Sequence, residues 1–331
     1  MGRNVAINGL GRIGRATMKI VLEEPDLTLV GVNDLMQPEN LAYLLNHDTV
    51  YGNYGRGVSF DDNALVIGGR RYPLYHTENP SDLPWEQLDV DTVFECTGIF
   101  RTSPELRKHL EAGAKNVILS APPRDDETES VVHGVNEPEG SPEILSCASC
   151  TTNCITPVVE VIGRRIGIRK ASMTTIHAYT SSQGLVDGPS GKLRRGRAAA
   201  RNLVPTSTGA AQAATDILPQ YEGRFDGTAV RTPVACGSLA DILFLVERET
   251  DVEEVNSILT EEAASDRYRH VLGVSDEPLV SSDIVRNPTA SLVDLRMTQV
   301  IDGDLVNVKS WYDDEWGYAC QMVRTVTGRD D

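Results

Sequence analysis

Through the first 150 residues, short apolar runs alternate with segments whose apolar positions recur at helical spacing. "NVAING" and "LTLVGVND" are compact apolar runs that end in glycine or polar residues, and the helix-spaced "GRATMKIVLEE" lies between them. Farther on, "VDTVFECTG" and "KNVILSAP" read as strands, with the helical "PELRKHLEAGA" between them. Strand, helix, strand in that order predicts parallel pairing and a doubly wound α/β sheet. After residue 150 the texture changes. "ITPVVEVIGRRIG" predicts a helix in which Pro157 removes one backbone hydrogen bond, and "KASMTTIHAYT" predicts a strand. The Gly-, Ser- and Arg-rich stretch 181–197 has no periodicity, and an unstructured loop of that length is usually functional. The helical "GAAQAATDILPQ" follows, then the strands of "LADILFLVERE" and "LVNVKSWYDDEW". The pattern predicts a nucleotide-type α/β domain followed by an α+β domain, with the boundary at a cluster of cysteines.

Composition adds limits. The chain has 331 residues, 40% hydrophobic and 24% charged, enough for two domains of ordinary soluble character. No window carries the roughly 18 uninterrupted apolar residues of a membrane helix, and the N-terminus breaks its apolar runs with Asn, Gly and Arg, unlike a signal peptide. Six cysteines, three of them bunched, do not resemble a secreted disulfide framework and fit a reducing cytoplasm. Acidic residues outnumber basic ones 48 to 31, for a net charge of −17, and only 6 of the basic residues are Lys against 25 Arg. Such a surface repels nucleic acids and anionic membranes, which argues against both as main partners. Few lysines and many carboxylates point to adaptation to high salt, where screening tolerates self-repulsion.

"INGLGRIGRAT" holds Gly9, Gly11 and Gly14 in the G-x-G-x-x-G spacing. Gly9 allows the tight turn, Gly11 lets a pyrophosphate approach the backbone, and Gly14 lets helix and strand pack closely. The helix that follows presents free N–H groups and the positive end of its dipole to phosphates. The motif follows a predicted strand and opens a predicted helix. Asp34 ends the second strand, where a carboxylate accepts from the adenosine ribose hydroxyls. This context predicts a Rossmann-type dinucleotide-binding domain. Asp34 would repel the extra phosphate of NADP and favours NAD, with NADP left open.

"SCASCTTNC" (146–154) contains Cys147, Cys150 and Cys154. A structural metal site needs a second ligand pair at similar spacing, and Cys96, Cys236 and Cys320 stand alone, so no metal is expected. A disulfide has no use in a reducing compartment. The remaining chemistry is nucleophilic: Cys150 lies where an extended segment turns into a helix, and the helix dipole there lowers a thiol's pKa. Cys154, one turn farther, reads as packing. A thiolate also needs a base, and His177 at the end of a predicted strand is a candidate, although a strand-end histidine is also a common structural residue.

The motifs "NGLGRIGR", "ASCTTNC", "TTIHAYT", "PTSTGAA" and "SWYDDEWGY" occur in order from residue 3 to about residue 326. Together they resemble phosphorylating glyceraldehyde-3-phosphate dehydrogenase. The resemblance implies a Rossmann-type domain over 1–149, joined by a C-terminal helix at 315–331, and an α+β catalytic domain with a mainly antiparallel sheet over 150–314. It implies Cys150 as nucleophile and His177 as base, with a cofactor site of Gly9, Arg12, Ile13, Asp34, Thr97, Ser120 and Asp314. It further implies two anion sites. Thr180 and Arg231 match the one for the substrate phosphate. Ser149, Thr208 with Gly209, and an arginine of "KLRRGRAA" match the one for attacking phosphate, with Thr151 close to the same anion. Arg195 is the favoured arginine and Arg194 stays open. The implied partners are glyceraldehyde 3-phosphate and inorganic phosphate, in glycolysis or gluconeogenesis. The loop from 181 to 201 matches one that reaches a neighbouring subunit and implies a homotetramer.

The chain also departs from the family. Asp314 replaces the usual Asn, and an ionised Asp accepts from a nicotinamide carboxamide but does not donate to it. Cys147 replaces a common Asn, and "RTPVACGS" departs from the usual sequence after Arg231. The nearest alternative is erythrose-4-phosphate dehydrogenase, which shares the cysteine, histidine and cofactor motifs but hydrolyses its thioester. The second anion site favours phosphorylation.

Overall fold

The computed structural model describes residues 2–328, and the chain divides into two compact units. Unit 1 comprises 1–131, 137–148 and 322–331; unit 2 comprises 132–136 and 149–321. The expected terminal helix spans Trp316–Thr327, and its predicted last residues, 329–331, lie outside the described residues.

Unit 1 is built on an eight-stranded sheet. From one edge its strands are Ile144–Ser146, Asn116–Leu119, Thr92–Glu95, Arg3–Asn8, Leu27–Asn33 and Arg70–Tyr75, all parallel. Ala64–Ile67 and Val58–Asp61 then add antiparallel pairs. The chain leaves Arg3–Asn8 through the helix Arg12–Val21 to Leu27–Asn33 on one side and later returns to Thr92–Glu95 on the other. That reversal opens a crevice beyond the carboxyl ends of the Arg3–Asn8 and Thr92–Glu95 strands, where α/β sheets bind ligands. The central strands are apolar on both faces, with Val5, Ala6, Ile7, Val93, Phe94, Val117 and Ile118 fully buried. The helix Ser103–Glu111 starts where the sequence signals it: Thr102 and Glu105 form a capping box, with Pro104 in the first turn. Between residues 35 and 90 the periodic reading is silent. There the structure places the helix Pro38–Asn46 and the antiparallel strands, elements too short to leave a clear period.

Unit 2 is a mainly antiparallel sheet in the order Val204–Ser207, Phe225–Thr232, Ile168–Ala178, Ser238–Val246, Leu305–Tyr312, Ser291–Asp294 and Leu272–Ser275. Two parallel pairings interrupt it, Ile168–Ala178 with Phe225–Thr232 and Leu272–Ser275 with Ser291–Asp294. Ala240, Ile242, Phe244 and Val246 alternate onto one face and pack with Val306, Val308 and the helix Cys150–Arg165. That helix buries Cys154, Ile155, Val158, Val159, Val161 and Ile162. It starts at Cys150, five residues before its apolar spacing becomes readable. Ser149 supplies the reason, since its hydroxyl accepts from Thr152 N–H at 3.0 Å as an N-cap. Stretch 181–203 has one short 3₁₀ turn, Leu193–Gly196, and is otherwise irregular.

Phe244→Ala removes a fully buried ring from this core and is expected to cost about 3–5 kcal/mol in denaturant unfolding. Phe60→Ala, on an exposed edge strand, is expected to cost less than about 1 kcal/mol.

Candidate active site

Unit 1 carries the glycine turn. Gly9 has φ +91°, a backbone region that only glycine enters freely, and a Cβ there would lie 2.7 Å from Thr97 N. A Cβ on Gly14 would lie 1.9 Å from the Gly9 carbonyl oxygen, so helix and turn touch backbone to backbone. A Cβ on Gly11 would meet nothing within 4 Å. That open face lies at the N-terminus of Arg12–Val21, where the first-turn N–H groups have no intrahelical partner, and it suits a pyrophosphate. The Arg12 guanidinium pairs with Asp48 at 2.6 Å and lies over the Tyr51 ring, so Arg12 and Ile13 bring backbone N–H groups to this helix start. Asp34 holds the turn from the next strand: its carboxylate accepts from Leu10 N–H at 2.5 Å and Met36 N–H at 2.7 Å. Thr97 and Ser120 stand just beyond the strands Thr92–Glu95 and Asn116–Leu119.

Unit 2 carries the thiol. Ala148, with φ +52°, precedes the cap Ser149, and the helix then presents Cys150 at its first position. Cys150 Sγ lies 3.7 Å from His177 Nε2. His177 ends its strand beside Arg231, its register partner on the parallel neighbour. Arg231 Nη1 lies 2.8 Å from the Ala178 carbonyl and 2.7 Å from His177 Nδ1, and Nδ1 lies 2.7 Å from the same carbonyl. A guanidinium only donates. Arg231 Nη1–H therefore donates to Ala178 O or to His177 Nδ1; in the tautomer whose Nδ1–H donates to Ala178 O, the Nε2 lone pair faces the thiol. The Tyr312 ring meets the His177 ring edge-on, 5.9 Å between centroids. Its hydroxyl lies 2.8 Å from both Thr151 Oγ1 and Thr175 Oγ1.

Electrostatics revise one expectation. The helix start was expected to lower the Cys150 pKa, but burial, then the Asp314 charge, push it up to about 12 against the pull of Arg231 and of the Thr151 N–H and hydroxyl. Burial, then the charge of Arg231, hold His177 down to about 3. At neutral pH the free protein therefore holds a thiol beside a neutral imidazole. A second revision concerns Asp314. Burial and the neighbouring Glu315 and Asp313 push it up to about 7, so near neutrality it is partly protonated and can donate as well as accept. Its Oδ1 lies 3.2 Å from Ser238 Oγ, which accepts from the Ala178 N–H at 3.0 Å. Thr151, expected close to the second anion, has a buried hydroxyl that bonds Tyr312 and the sulfur.

The anion candidates differ in setting. Arg231 Nε is buried with no hydrogen-bond partner, a donor left over for a ligand. Arg195 is half-buried, tied to Thr206 Oγ1 at 2.9 Å and Ser207 O at 3.2 Å, and its charge is felt at both Arg231 and His177. Arg194 is exposed. Thr208 Oγ1 accepts from Ala210 N–H at 3.1 Å beside Gly209, the cap of the helix Ala210–Ile217. Thr180 pairs with Ser182 at 2.8 Å on the surface. None of the six cysteines is in a disulfide; Cys147 packs against Thr325, and Cys154 lies in the core near Ser291. Sequence reasoning missed Tyr312 and Ser238. Tyr312 sits in a motif already singled out, whereas a lone serine carries no signal.

Asp314→Asn is the direct probe of this electrostatics. Removing the charge is expected to lower the Cys150 pKa and speed its alkylation by iodoacetamide at pH 8, by up to about tenfold if the thiol falls by roughly one pH unit. Between pH 3.8 and about 7 folded Asp314 keeps a proton that the unfolded chain releases, so wild-type stability falls as pH rises through that window. The variant should therefore melt above wild type at pH 8, with the gap narrowing at pH 5.

Comparison with known proteins agrees with both halves of the geometry. Residues 3–103 match the glyceraldehyde 3-phosphate dehydrogenase NAD binding domain, and residues 149–314 match the C-terminal domain of the same family. A glyceraldehyde-3-phosphate dehydrogenase of Haloarcula vallismortis is 46% identical over 325 residues, covering 96% of each chain. That of Thermotoga maritima is 45% identical with 97% of each chain covered, and that of Zymomonas mobilis is 43% identical with 98% covered. With both domains matched, and relatives at this identity over nearly the whole length, the chain belongs to the glyceraldehyde-3-phosphate dehydrogenase family.

Proposed function

We propose that the chain oxidises glyceraldehyde 3-phosphate to 1,3-bisphosphoglycerate, with NAD preferred and inorganic phosphate as acyl acceptor, through a thioester on Cys150. The observation that carries this reading is the 3.7 Å approach of Cys150 Sγ to His177 Nε2. Nε2 takes the thiol proton as sulfur attacks the aldehyde carbon and passes it to the carbonyl oxygen, giving a hemithioacetal and a neutral imidazole again. The nicotinamide, when bound, supplies the acceptor for the hydride that leaves that carbon. His177 removes the hydroxyl proton in the same step, and a thioester results. A phosphate oxygen then attacks the carbonyl carbon, the C–S bond breaks, and the thiolate recovers a proton. Sulfur is required here because an oxygen ester would not keep the acyl group active enough for phosphate to take it.

Two phosphates have to be held by a chain of net charge −17, so local cations must outweigh the general field. Arg231 and Thr180 are assigned to the substrate phosphate, and the unpartnered Nε of Arg231 supports this. Ser149, Thr208, Gly209 and Arg195 are assigned to attacking phosphate; the tethering of Arg195 beside the His177–Arg231 pair favours it over exposed Arg194. Gly9, Arg12, Ile13, Asp34, Thr97 and Ser120 are assigned to the cofactor, and the Asp34 carboxylate supports NAD over NADP. Asp314 is assigned to the nicotinamide carboxamide. The dinucleotide-binding domain is assigned to 1–149 with the C-terminal helix, and the catalytic domain to 150–314.

The assembly is proposed to be a cytoplasmic homotetramer adapted to high salt. Leu185, Val186, Leu193 and Leu203 are at least 69% exposed along the irregular 181–203 stretch, an apolar surface suited to a neighbouring subunit. Cysteines outside any disulfide fit a reducing compartment, and no helix among the described residues is long and apolar enough to cross a membrane.

The deciding experiment follows NADH and NADPH formation from glyceraldehyde 3-phosphate in molar salt, with and without inorganic phosphate. Turnover should require phosphate, prefer NAD, and disappear in Cys150→Ser. Phosphate-independent turnover would move the assignment to a hydrolysing enzyme such as erythrose-4-phosphate dehydrogenase, and equal use of NADP would refute the argument from Asp34. Dialysis into dilute buffer, followed by sedimentation, should dissociate or unfold the assembly as its carboxylates lose their screening. A tetramer unchanged by dilution would contradict salt adaptation.

A further inference from the structure

Three neighbouring strands of unit 1 end in buried polar residues: Arg3–Asn8 in Asn8, Leu27–Asn33 in Asn33 and Thr92–Glu95 in Glu95. Their side chains form one chain. Asn33 Nδ2 donates to Asn8 Oδ1 at 2.7 Å, and Asn8 Nδ2 donates to Glu95 Oε2 at 2.6 Å. Trp85 Nε1–H donates to His109 Nδ1 at 3.0 Å. An indole N–H can only donate, so His109 is the neutral tautomer with its proton on Nε2, and Nε2–H donates to Glu95 Oε2 at 3.1 Å. Thr97 N–H donates to Glu95 Oε1 at 2.7 Å, and the Thr97 hydroxyl bonds the same oxygen. Glu95 therefore accepts four hydrogen bonds, none of them from a lysine or arginine among the described residues. Its lone-pair sites are filled by these donors.

We propose that Glu95 is a positioning residue for dinucleotide binding, an inference that rests on the reading of unit 1 as the cofactor domain. Each link fixes the root of a loop around the crevice. Asn8 immediately precedes the Gly9–Gly11 turn, Asn33 precedes Asp34, and Thr97 opens the loop after the third strand. Backbone bonds tie the same points, Gly9 N–H to Asn33 O and Cys96 N–H to Asn8 O, both at 2.7 Å. Gly9 and Thr97 already touch so closely that a Cβ on Gly9 has no room. A shift of Thr97 is thus a shift of the turn that approaches the pyrophosphate. A buried carboxylate contributes little to stability compared with apolar packing, so its consequence lies in the placement of the loops it holds.

The test titrates NAD into the full-length protein by calorimetry, in molar salt and without substrate. Glu95→Gln keeps the shape but puts an NH₂ against donors. NAD Kd is expected to rise about tenfold, the loss of one charge-assisted hydrogen bond, while alkylation of Cys150 without cofactor stays within twofold of wild type. A second pair guards against misfolding: His109→Leu should weaken NAD binding in the same direction, and His109→Gln, which restores an N–H donor, should recover most of it. An unchanged Kd in Glu95→Gln, with or without a lower melting temperature, overturns the proposal and leaves Glu95 a purely structural group. Absence of NAD binding in wild type would instead overturn the cofactor reading of the domain, and this proposal with it.

Discussion

A thiol is useful as a nucleophile only if a base waits within reach with its lone pair turned the right way, and most of unit 2 serves that requirement. The Ser149 cap fixes where the helix starts and so where Cys150 stands, and the pairing of Ile168–Ala178 with Phe225–Thr232 brings Arg231 beside His177. The Ala178 carbonyl lies within reach of both the histidine and the arginine, and a His177 Nδ1–H donating to it turns the Nε2 lone pair toward the sulfur. The core beneath is what keeps these elements still. Cys154 and the apolar run after it bury the helix on the same sheet face that carries Phe244 and Val308, so the cap, the strand register and the packing determine one distance together.

The surroundings of this pair are dry and carry opposing charges. Burial, then Arg231, holds the imidazole neutral, and burial, then Asp314, opposes ionisation of the thiol, so the resting protein is poised with its proton still on sulfur. Asp314 is itself close to half-protonated at neutral pH. A substitution that looks like a lost donor in the sequence becomes, in its buried acidic setting, a group that can donate and whose charge depends on pH. The Ser238 hydroxyl connects it to the peptide that follows His177.

In unit 1 the same economy appears in another form. Three parallel strands terminate in polar residues that bind one another rather than solvent, and the loops that follow are those of the glycine turn, of Asp34 and of Thr97. The glycines account for where backbone can approach a ligand. The buried Glu95 accounts for why those backbones hold their positions.

Much of this was legible in the residues. The central strands, their helices and the change of texture near residue 150 follow from apolar period, because burial on one or both faces leaves a repeating trace. The glycine roles were legible because each follows from the missing Cβ, and Cys150 stood out because a metal lacked a second ligand pair and a disulfide had no use in a reducing compartment. The short antiparallel strands of unit 1 were not legible, since four residues hold too little period to read. Tertiary structure alone decided the protonation states: a helix N-terminus argued for a lowered thiol pKa, and burial beside Asp314 reversed it. It alone decided that Arg195 is tethered and Arg194 exposed, and that Thr151 serves Tyr312. It also joined Asn8, Asn33, Glu95 and His109, which are scattered over a hundred residues. Sequence determines which chemical groups are present and where the chain turns. Desolvation, charge neighbours and hydrogen-bond partners are properties of three-dimensional proximity, and only the folded chain assigns them.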